Sequence, residues 1–511
     1  MAASVDAGDR PPGTPTTRER LLVVGLGALL AFGCLLRFWK LGEDGLWYDE
    51  LWTVVGASDR SFMDMYRGWM LGDAHPPGYF LFYFVWFELF PNDELWARLP
   101  NAIAGVLTVA YLLFGTRRVL SRDERIFAAA LASLSSLYLF YAVNVKQYSA
   151  VILLATVATV TYARIAEERV VERRTAHLFT ATLVGLAWLN HFAMAYAWVL
   201  LGLLALAFRA DRELLRSVGR MAGVLAVTYL PIAYFLYFPF LLSNISQPSE
   251  VSTLLSGLLP ALFFDDRTVV RSALAILGAT LAWRATRDRR TRSELRSDRN
   301  RHLATLVATF ALLLAALSVA EPTLVVRYFI VLFPSALLAV AILAAAAFPL
   351  SRGWWAALPL LFFARAAVVD FRMIDGMQRQ EWDVSVDLVL ASARPGDPIY
   401  VLGSSPERSL LDYLRAGDID GGLYRQNLAF YEYYFRRRGA DGIAADLEVV
   451  EPTAAAAARL ARELRGTGRT AYILAGHHIQ LDDEAVWNLE QAARRMETTW
   501  LYSTILYQVE F

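Results

Sequence analysis

Charge is scarce in this chain. Only 19% of its 511 residues are Asp, Glu, Lys or Arg, against about 25% in a typical soluble domain. What charge there is cancels, 49 basic residues against 49 acidic ones, so nothing marks a nucleic-acid partner. Cysteine is scarcer still. Cys34 stands alone inside an apolar block, and no intrachain disulfide contributes, whichever compartment the loops face. Asp49, Glu50, His75 and His191 are chemically able to hold a divalent ion, but short ligand spacings such as His-x-x-x-His are missing, so no metal or other cofactor is assigned. Internal repeats of about 20–50 residues are missing too, as is the two-fold symmetry of many transporters.

What the chain has in abundance is apolar surface. Hydrophobic residues make up 56% of it, gathered in blocks of roughly 15–20 residues, the length scale of a bilayer crossing. That excludes a cytosolic multidomain enzyme and a disordered chain. The pattern predicts a mainly α, polytopic membrane protein of about 11 transmembrane helices. The spans fall near 21–39, 99–116, 126–143, 149–163, 178–190, 193–208, 222–240, 270–284, 303–320, 329–348 and 354–369. Residues 1–20, rich in Pro, Thr, Gly and Arg, read as a disordered cytoplasmic tail. Residues 21–370 form the membrane domain.

Arginine fixes the expected orientation. Connections beginning at Arg117, Arg164, Arg209 and Arg284 are dense in arginine, whereas the intervening ones hold isolated cations such as Lys146, Arg267 and Arg327. The positive-inside rule then puts the N-terminus in the cytoplasm and the C-terminus outside a plasma or inner membrane. The apolar segment 78–90 is too short to cross a core of about 30 Å at 1.5 Å per residue, and reads as interfacial or re-entrant. Residues 253–264 read the same way.

Beyond residue 370 the pattern changes to a small extracytoplasmic α/β domain, residues 371–511. Helices are expected at Asp383–Ala393, Ser405–Arg415, Ala454–Leu464 and Asp482–Met496. Short extended runs are expected at Pro398–Leu402 and Ala471–Leu474, with a β-branched, aromatic end from Thr498 to Phe511.

The first outer loop, 40–98, holds the densest set of reactive side chains. Trp47, Leu51, Val54 and Val55 recur on one helical face, with Asp49 roughly opposite and Glu50 on the flank. A helix lying on the membrane by that face points Asp49 into water. Phe62, Met65, Tyr66 and Trp69 repeat the interfacial pattern. Two prolines then fix the chain at His75-Pro76-Pro77-Gly78-Tyr79. Asn144, Lys146, Gln147 and Tyr148, then Asn190-His191, and Arg327-Tyr328 sit at outer ends of other spans. Each alone is an ordinary interfacial residue. Together they gather cations, histidines and an acid where an anionic lipid head group lies.

These motifs occur in a familiar order: Trp-Tyr-Asp-Glu (47–50), His-Pro-Pro-Gly-Tyr (75–79), Trp-Ala-Arg-Leu-Pro (96–100), Val-Lys-Gln-Tyr-Ser (145–149), Asn-His (190–191) and Arg-Tyr (327–328). The chain resembles the bacterial GT-C glycosyltransferases related to protein O-mannosyltransferases and to the lipid A aminoarabinose transferase. The likeness covers about residues 20–370, and Arg379-Gln380-Glu381-Trp382-Asp383 resembles their junction to an outer domain. It implies inverting transfer of a sugar from a polyprenyl-phosphate carrier to an envelope acceptor, which is a protein, a lipid or a polysaccharide. It gives Asp49, with Glu50 beside it, the catalytic acid–base role. Donor-phosphate binding falls to Lys146, Tyr148, Arg327, Tyr328, His75 and Arg98, and contact with sugar or acceptor to His191 and Asn190. Where members usually show arginine this chain has Lys146, which keeps the charge without the bidentate fork.

Three other readings compete. A lipid-linked glycan polymerase or ligase uses the same site logic. A flippase or transporter needs ionisable or helix-breaking residues near the bilayer midplane, yet the polar residues gather at one face. A sensor needs far fewer spans.

Overall fold

The computed structural model of the protein describes residues 17–58, 61–70, 73, 75–236, 267–288, 291, 297, 299–309, 330–350, 357–377, 381–404, 426–476, 479–501 and 504–511. Arg327, Tyr328 and the segments 253–264 and 405–415 lie outside them.

The chain enters the bundle with α1 (Thr17–Leu36). The first long loop folds as three short helices, α2 (Tyr48–Ala57), α3 (Phe62–Gly68) and α4 (Gly78–Leu89). The bundle continues with α5 (Glu94–Ala110), which ends in a π-turn at Tyr111–Gly115, α6 (Arg122–Ser133) and α7 (Ser136–Ala142). Then follow α8 (Tyr148–Glu168), α9 (Arg173–Leu189), α10 (His191–Ala207) and α11 (Arg212–Tyr229). Helices Arg267–Arg287, Phe333–Ala347 and Ala357–Asp375 complete it. Every expected span meets a described helix, the ninth only over 303–309. Among the described residues four helical segments, Glu19–Leu36, Glu94–Gly115, Tyr148–Glu168 and Ile330–Ala347, are long and apolar enough to cross a membrane alone. The pair α6 and α7, bent by 58°, makes a fifth if it is one span. At 17 residues each, α9 and α10 reach only about 25 Å, which is why length alone undercounts the bundle.

The bend has a chemical cause. Leu134 and Ser135 interrupt the helix, and Ser135 caps α7 through the Tyr138 N–H. The carbonyls left behind accept from the buried Arg37 guanidinium, Ala132 at 2.9 Å and Ser133 at 3.0 Å. Ser136 donates to Asp370 from the same break. A cation at the end of α1 thus replaces lost intrahelical bonds, which in lipid have no water to turn to.

One end of the bundle collects the basic connections. Arg122 pairs with Glu19 at 2.8 Å and Arg299 with Glu124 at 2.7 Å, and Asp123 accepts the Leu350 N–H at 2.9 Å. The loop 40–98 and the C-terminal domain occupy the opposite end.

That domain is a five-stranded sheet in the order β2-β1-β3-β5-β4. Strands β1 (Ile399–Leu402), β2 (Glu448–Val450) and β3 (Thr470–Ala475) run parallel. Strands β4 (Arg495–Trp500) and β5 (Ile505–Glu510) form an antiparallel hairpin beside β3. The expected helices at 383–393 and 454–464 are present as Trp382–Ser392 and Ala454–Leu464. The helix expected over Asp482–Met496 stops at Ala492, because Arg495 and Met496 pair with Glu510 and Val509 instead. Local helix propensity loses there to a ladder on a finished sheet.

A helix that sequence patterning missed decides how the two parts meet. Asn427–Arg437 buries Phe430, Tyr431, Tyr433, Tyr434 and Phe435, aromatic nearly all round, so no single face marks it. Its Phe430 ring lies edge-on to Tyr48 at 5.4 Å and to Trp382 at 5.4 Å, and stacks on Trp69 at 6.1 Å. The Tyr434 hydroxyl accepts the Leu46 N–H at 2.6 Å, and the Tyr433 hydroxyl donates to the Asn92 carbonyl at 2.7 Å. So α2 is not a helix resting on lipid with its other side in water. It is covered on that side by the C-terminal domain, and Glu50, Leu51, Trp52, Thr53, Val54, Gly56 and Ala57 are all buried.

Candidate active site

Two carboxylates open α2, and the fold treats them oppositely. Glu50 is fully buried against Arg98, which is equally buried. Its Oε1 accepts from Arg98 Nε at 3.0 Å and from the Val145 N–H at 2.9 Å. Its Oε2 accepts from Arg98 Nη2 at 2.8 Å and from the Trp47 N–H at 3.2 Å. Arg98 gives its remaining N–H groups to the carbonyls of Leu41 at 3.0 Å, Asp44 at 2.8 Å and Gly45 at 2.8 Å. A guanidinium has five N–H donors, and all five are used. Arg98, expected at the phosphate, therefore has every donor bonded within the protein. Glu50, expected beside Asp49 in catalysis, has both oxygens bonded within the protein as well. The pair ties together the start of the loop, the first turn of α2, α5 and the turn that carries Lys146.

Asp49, one residue earlier, remains partly exposed, and its charge acts on the Tyr79 phenol. Tyr79 is the hub of a second cluster. Its hydroxyl donates to Asp73 Oδ2 and accepts from Lys146 Nζ at 3.3 Å. Lys146 Nζ lies 3.6 Å from Asp73 Oδ2 and 5.0 Å above the Tyr79 ring. His75 Nδ1 is 2.7 Å from Asp73 Oδ1, which also accepts the His75 N–H at 2.9 Å. The His75 ring stands edge-on to Tyr148 at 6.2 Å, and Tyr148 packs on Tyr141 at 4.6 Å.

Asp73 is the residue the sequence reading missed. Its signal was available: an Asp two residues before a fixed His-Pro-Pro turn is placed to accept that turn's N–H. Burial alone pushes its carboxyl up, but the Lys146 charge and the His75 and Tyr79 contacts outweigh it and hold the group well below the usual carboxylate range.

The turn behind Lys146 is bolted to α5. Asn101 donates to the Asn144 carbonyl at 2.7 Å, and Ser149 donates to the Asn101 carbonyl at 2.8 Å. Beside Lys146, the Gln147 amide is buried with no hydrogen-bond partner among the described residues. Gly78 sets the height of the His75 turn, since a Cβ there would stand 2.5 Å from the Trp188 carbonyl oxygen. Backbone cannot yield as a side-chain tip can, so Gly78→Ala is expected to cost about 1–3 kcal/mol. A melting temperature in detergent equal to that of the wild type would show that the turn has slack.

Asn190, expected at the sugar or acceptor, is buried, and its Oδ1 caps α10 by accepting the Ala193 N–H at 3.1 Å. His191 Nδ1 lies 2.9 Å from the Tyr229 hydroxyl. Among the described residues no group of three or more His, Cys, Asp or Glu side chains is arranged to hold a metal ion.

The site thus gathers a lysine, an imidazole, a phenol and the buried Asp73 carboxylate, with the partly exposed Asp49 acting on the phenol. The sequence profile of the family "dolichyl-phosphate-mannose-protein mannosyltransferase" matches residues 74–238. The fold is similar to that of ArnT from Cupriavidus metallidurans in two crystal structures. With undecaprenyl phosphate bound, the TM-score is 0.55 at 12% identity, over 94% of this chain and 97% of that one. In the apo state it is 0.56 at 11% identity, over 96% and 98%. The archaeal oligosaccharyltransferase AglB from Archaeoglobus fulgidus, in complex with an inhibitory peptide and a dolichol-phosphate, aligns at 12% identity with a TM-score of 0.48, over 90% of this chain and 70% of that one. No curated protein matches the sequence. The family match thus covers residues 74–238, and the fold as a whole is similar to that of ArnT over nearly all of both chains.

Proposed function

We propose that the protein transfers a sugar, with inversion, from a polyprenyl-phosphate carrier to a hydroxyl acceptor at the face covered by the C-terminal domain. The observation that carries this reading is the Asp73–His75–Tyr79–Lys146 cluster, with the charge of the partly exposed Asp49 acting on its Tyr79. The fold match supports it, and one structural relative was crystallised with undecaprenyl phosphate, a carrier of this class. That face is extracytoplasmic in this proposal, since the basic connections meet at the other end.

In the reaction the acceptor oxygen bonds to the sugar C1 as its proton passes to Asp49. The C1–O bond to phosphate breaks, and the lipid phosphate leaves with the electron pair. That leaving group needs cations rather than a strong acid. Lys146 supplies one. Asp73 acts through others: it holds the His75 Nδ1–H so that Nε2 faces the ligand, and it fixes Lys146 with Tyr79. Arg327 and Tyr328 are proposed to complete the phosphate site, and His191 to meet the sugar or acceptor.

The test is to incubate the purified protein in nanodiscs with polyprenyl-phosphate sugars and envelope extract. Loss of one lipid-linked sugar with a glycosylated product supports transfer. Passage of intact lipid-linked sugar across proteoliposomes without a product would make it a flippase instead.

Asp73 adds a pH prediction. A depressed carboxyl contributes stability that is present above its ordinary value near 4 and lost only as pH falls below it. Any acid limb seen above about pH 5 therefore belongs to another group. Asp73→Asn is expected to lower turnover and to keep an acid limb above that pH. Loss of the limb from the Asp73→Asn pH–rate profile would contradict this.

A further inference from the structure

At the basic end of the bundle, away from the site above, α1, the π-turn and α6 enclose a cavity of about 270 Å³. Its walls are apolar, including Leu26, Leu30, Leu113 and Ile126, and its rim carries Arg117, Arg122 and Arg125. The three guanidiniums are not consumed by the protein. Arg117 lies over the exposed Phe114 ring at 5.6 Å. Arg122 pairs with Glu19 at 2.8 Å through one nitrogen. Arg125 donates one N–H to the Leu113 carbonyl at 3.2 Å, and its buried Nε has no hydrogen-bond partner among the described residues.

Among the described residues the nearby acids do not balance them. Glu124 is bonded to Arg299, and Asp123 accepts the Leu350 N–H and acts on Arg122. Glu19 pairs with the same Arg122. An apolar slot beside a bilayer, with arginines at its mouth, matches a molecule that is an anion at one end and a hydrocarbon at the other.

We infer that this cavity binds an anionic phospholipid, its phosphate on Arg117, Arg122 and Arg125 and one acyl chain between α1 and α6. A free phosphate uses the rim alone and gains nothing from the apolar walls. The hydrocarbon adds binding free energy with every buried methylene. Gly27 lies in the wall, and a Cβ built there meets no atom within 4 Å, so the slot can be filled from α1 without disturbing the helices.

The experiment is native mass spectrometry of the delipidated full-length protein with added phosphatidylglycerol or phosphatidylcholine. Phosphatidylglycerol is expected to be retained in preference. Arg117→Ala and Arg122→Ala should each weaken it roughly fivefold, the worth of one basic residue at a membrane surface. Gly27→Leu should abolish retention with every arginine in place, and as a better helix former than glycine it should not lower the melting temperature. Equal retention of the two lipids would overturn the proposal, as would full retention by Gly27→Leu. Displacement by millimolar inorganic phosphate would reduce the site to an anion contact with no lipid slot.

Discussion

Asp49→Asn is expected to lower turnover of the lipid-linked sugar by about a hundred- to ten-thousand-fold, the usual worth of a positioned general base, while folded yield stays near wild type. The substitution is almost isosteric and removes only the group that takes the proton. Its neighbours explain why the loss should be specific. Asp49 is partly exposed, whereas the α2 turn is held by the adjacent Glu50 and its contacts with Trp47, Arg98 and Val145. The measurement is single-turnover consumption of the donor that the wild type uses, alongside donor binding to both proteins. Wild-type turnover in Asp49→Asn would remove Asp49 from the mechanism. Glu50 is no substitute, because both its oxygens are already bonded within the protein. Asp73 is committed to Lys146, His75 and Tyr79.

The second large effect concerns stability. Arg98→Lys keeps the charge but offers at most three donors in place of five. It should strand carbonyls at Leu41, Asp44 or Gly45 and leave Glu50 incompletely bonded. Breaking a buried pair costs about 3–5 kcal/mol, against a total stability of about 5–15 kcal/mol for a typical domain. Arg98→Met and Glu50→Gln should be at least as damaging, with little folded protein surviving size exclusion in detergent. The double variant Glu50→Leu with Arg98→Met removes both charges together and should recover part of the stability. It should not recover activity, because Val145 and the turn bearing Lys146 lose their anchor. An Arg98→Lys protein that melts like the wild type yet has lost donor binding would return Arg98 to the phosphate site.

These two neighbours, Asp49 and Glu50, show what patterning can and cannot separate. The helical face through Trp47, Leu51 and Val54 was legible, and α2 forms there. Which acid stays available was not, since both sit off the apolar face and the decision comes from Arg98, 48 residues away. Asp73 had a local signal in its spacing from His75, but its pairing with Lys146, on a turn between distant helices, had none. Asn190 looked like a ligand because a polar residue at an outer span end is ambiguous between capping a helix and meeting a substrate. Only the Ala193 N–H resolves it.

The sequence by itself determined the apolar blocks and hence the helices, the gathering of arginine in alternate connections, the Pro-Pro turn that aims His75, and the strand-rich end of the C-terminal domain. All of these are local, set by period, composition and fixed backbone angles within a few residues. The tertiary structure alone decided that Asn427–Arg437 covers α2, that Arg37 bridges the break between α6 and α7, and that Glu50 and Arg98 neutralise each other in the interior. Those outcomes depend on which distant donor reaches which acceptor once water is excluded. Burial then makes an unpaired charge too costly to keep, so the packing assigns each polar group its role.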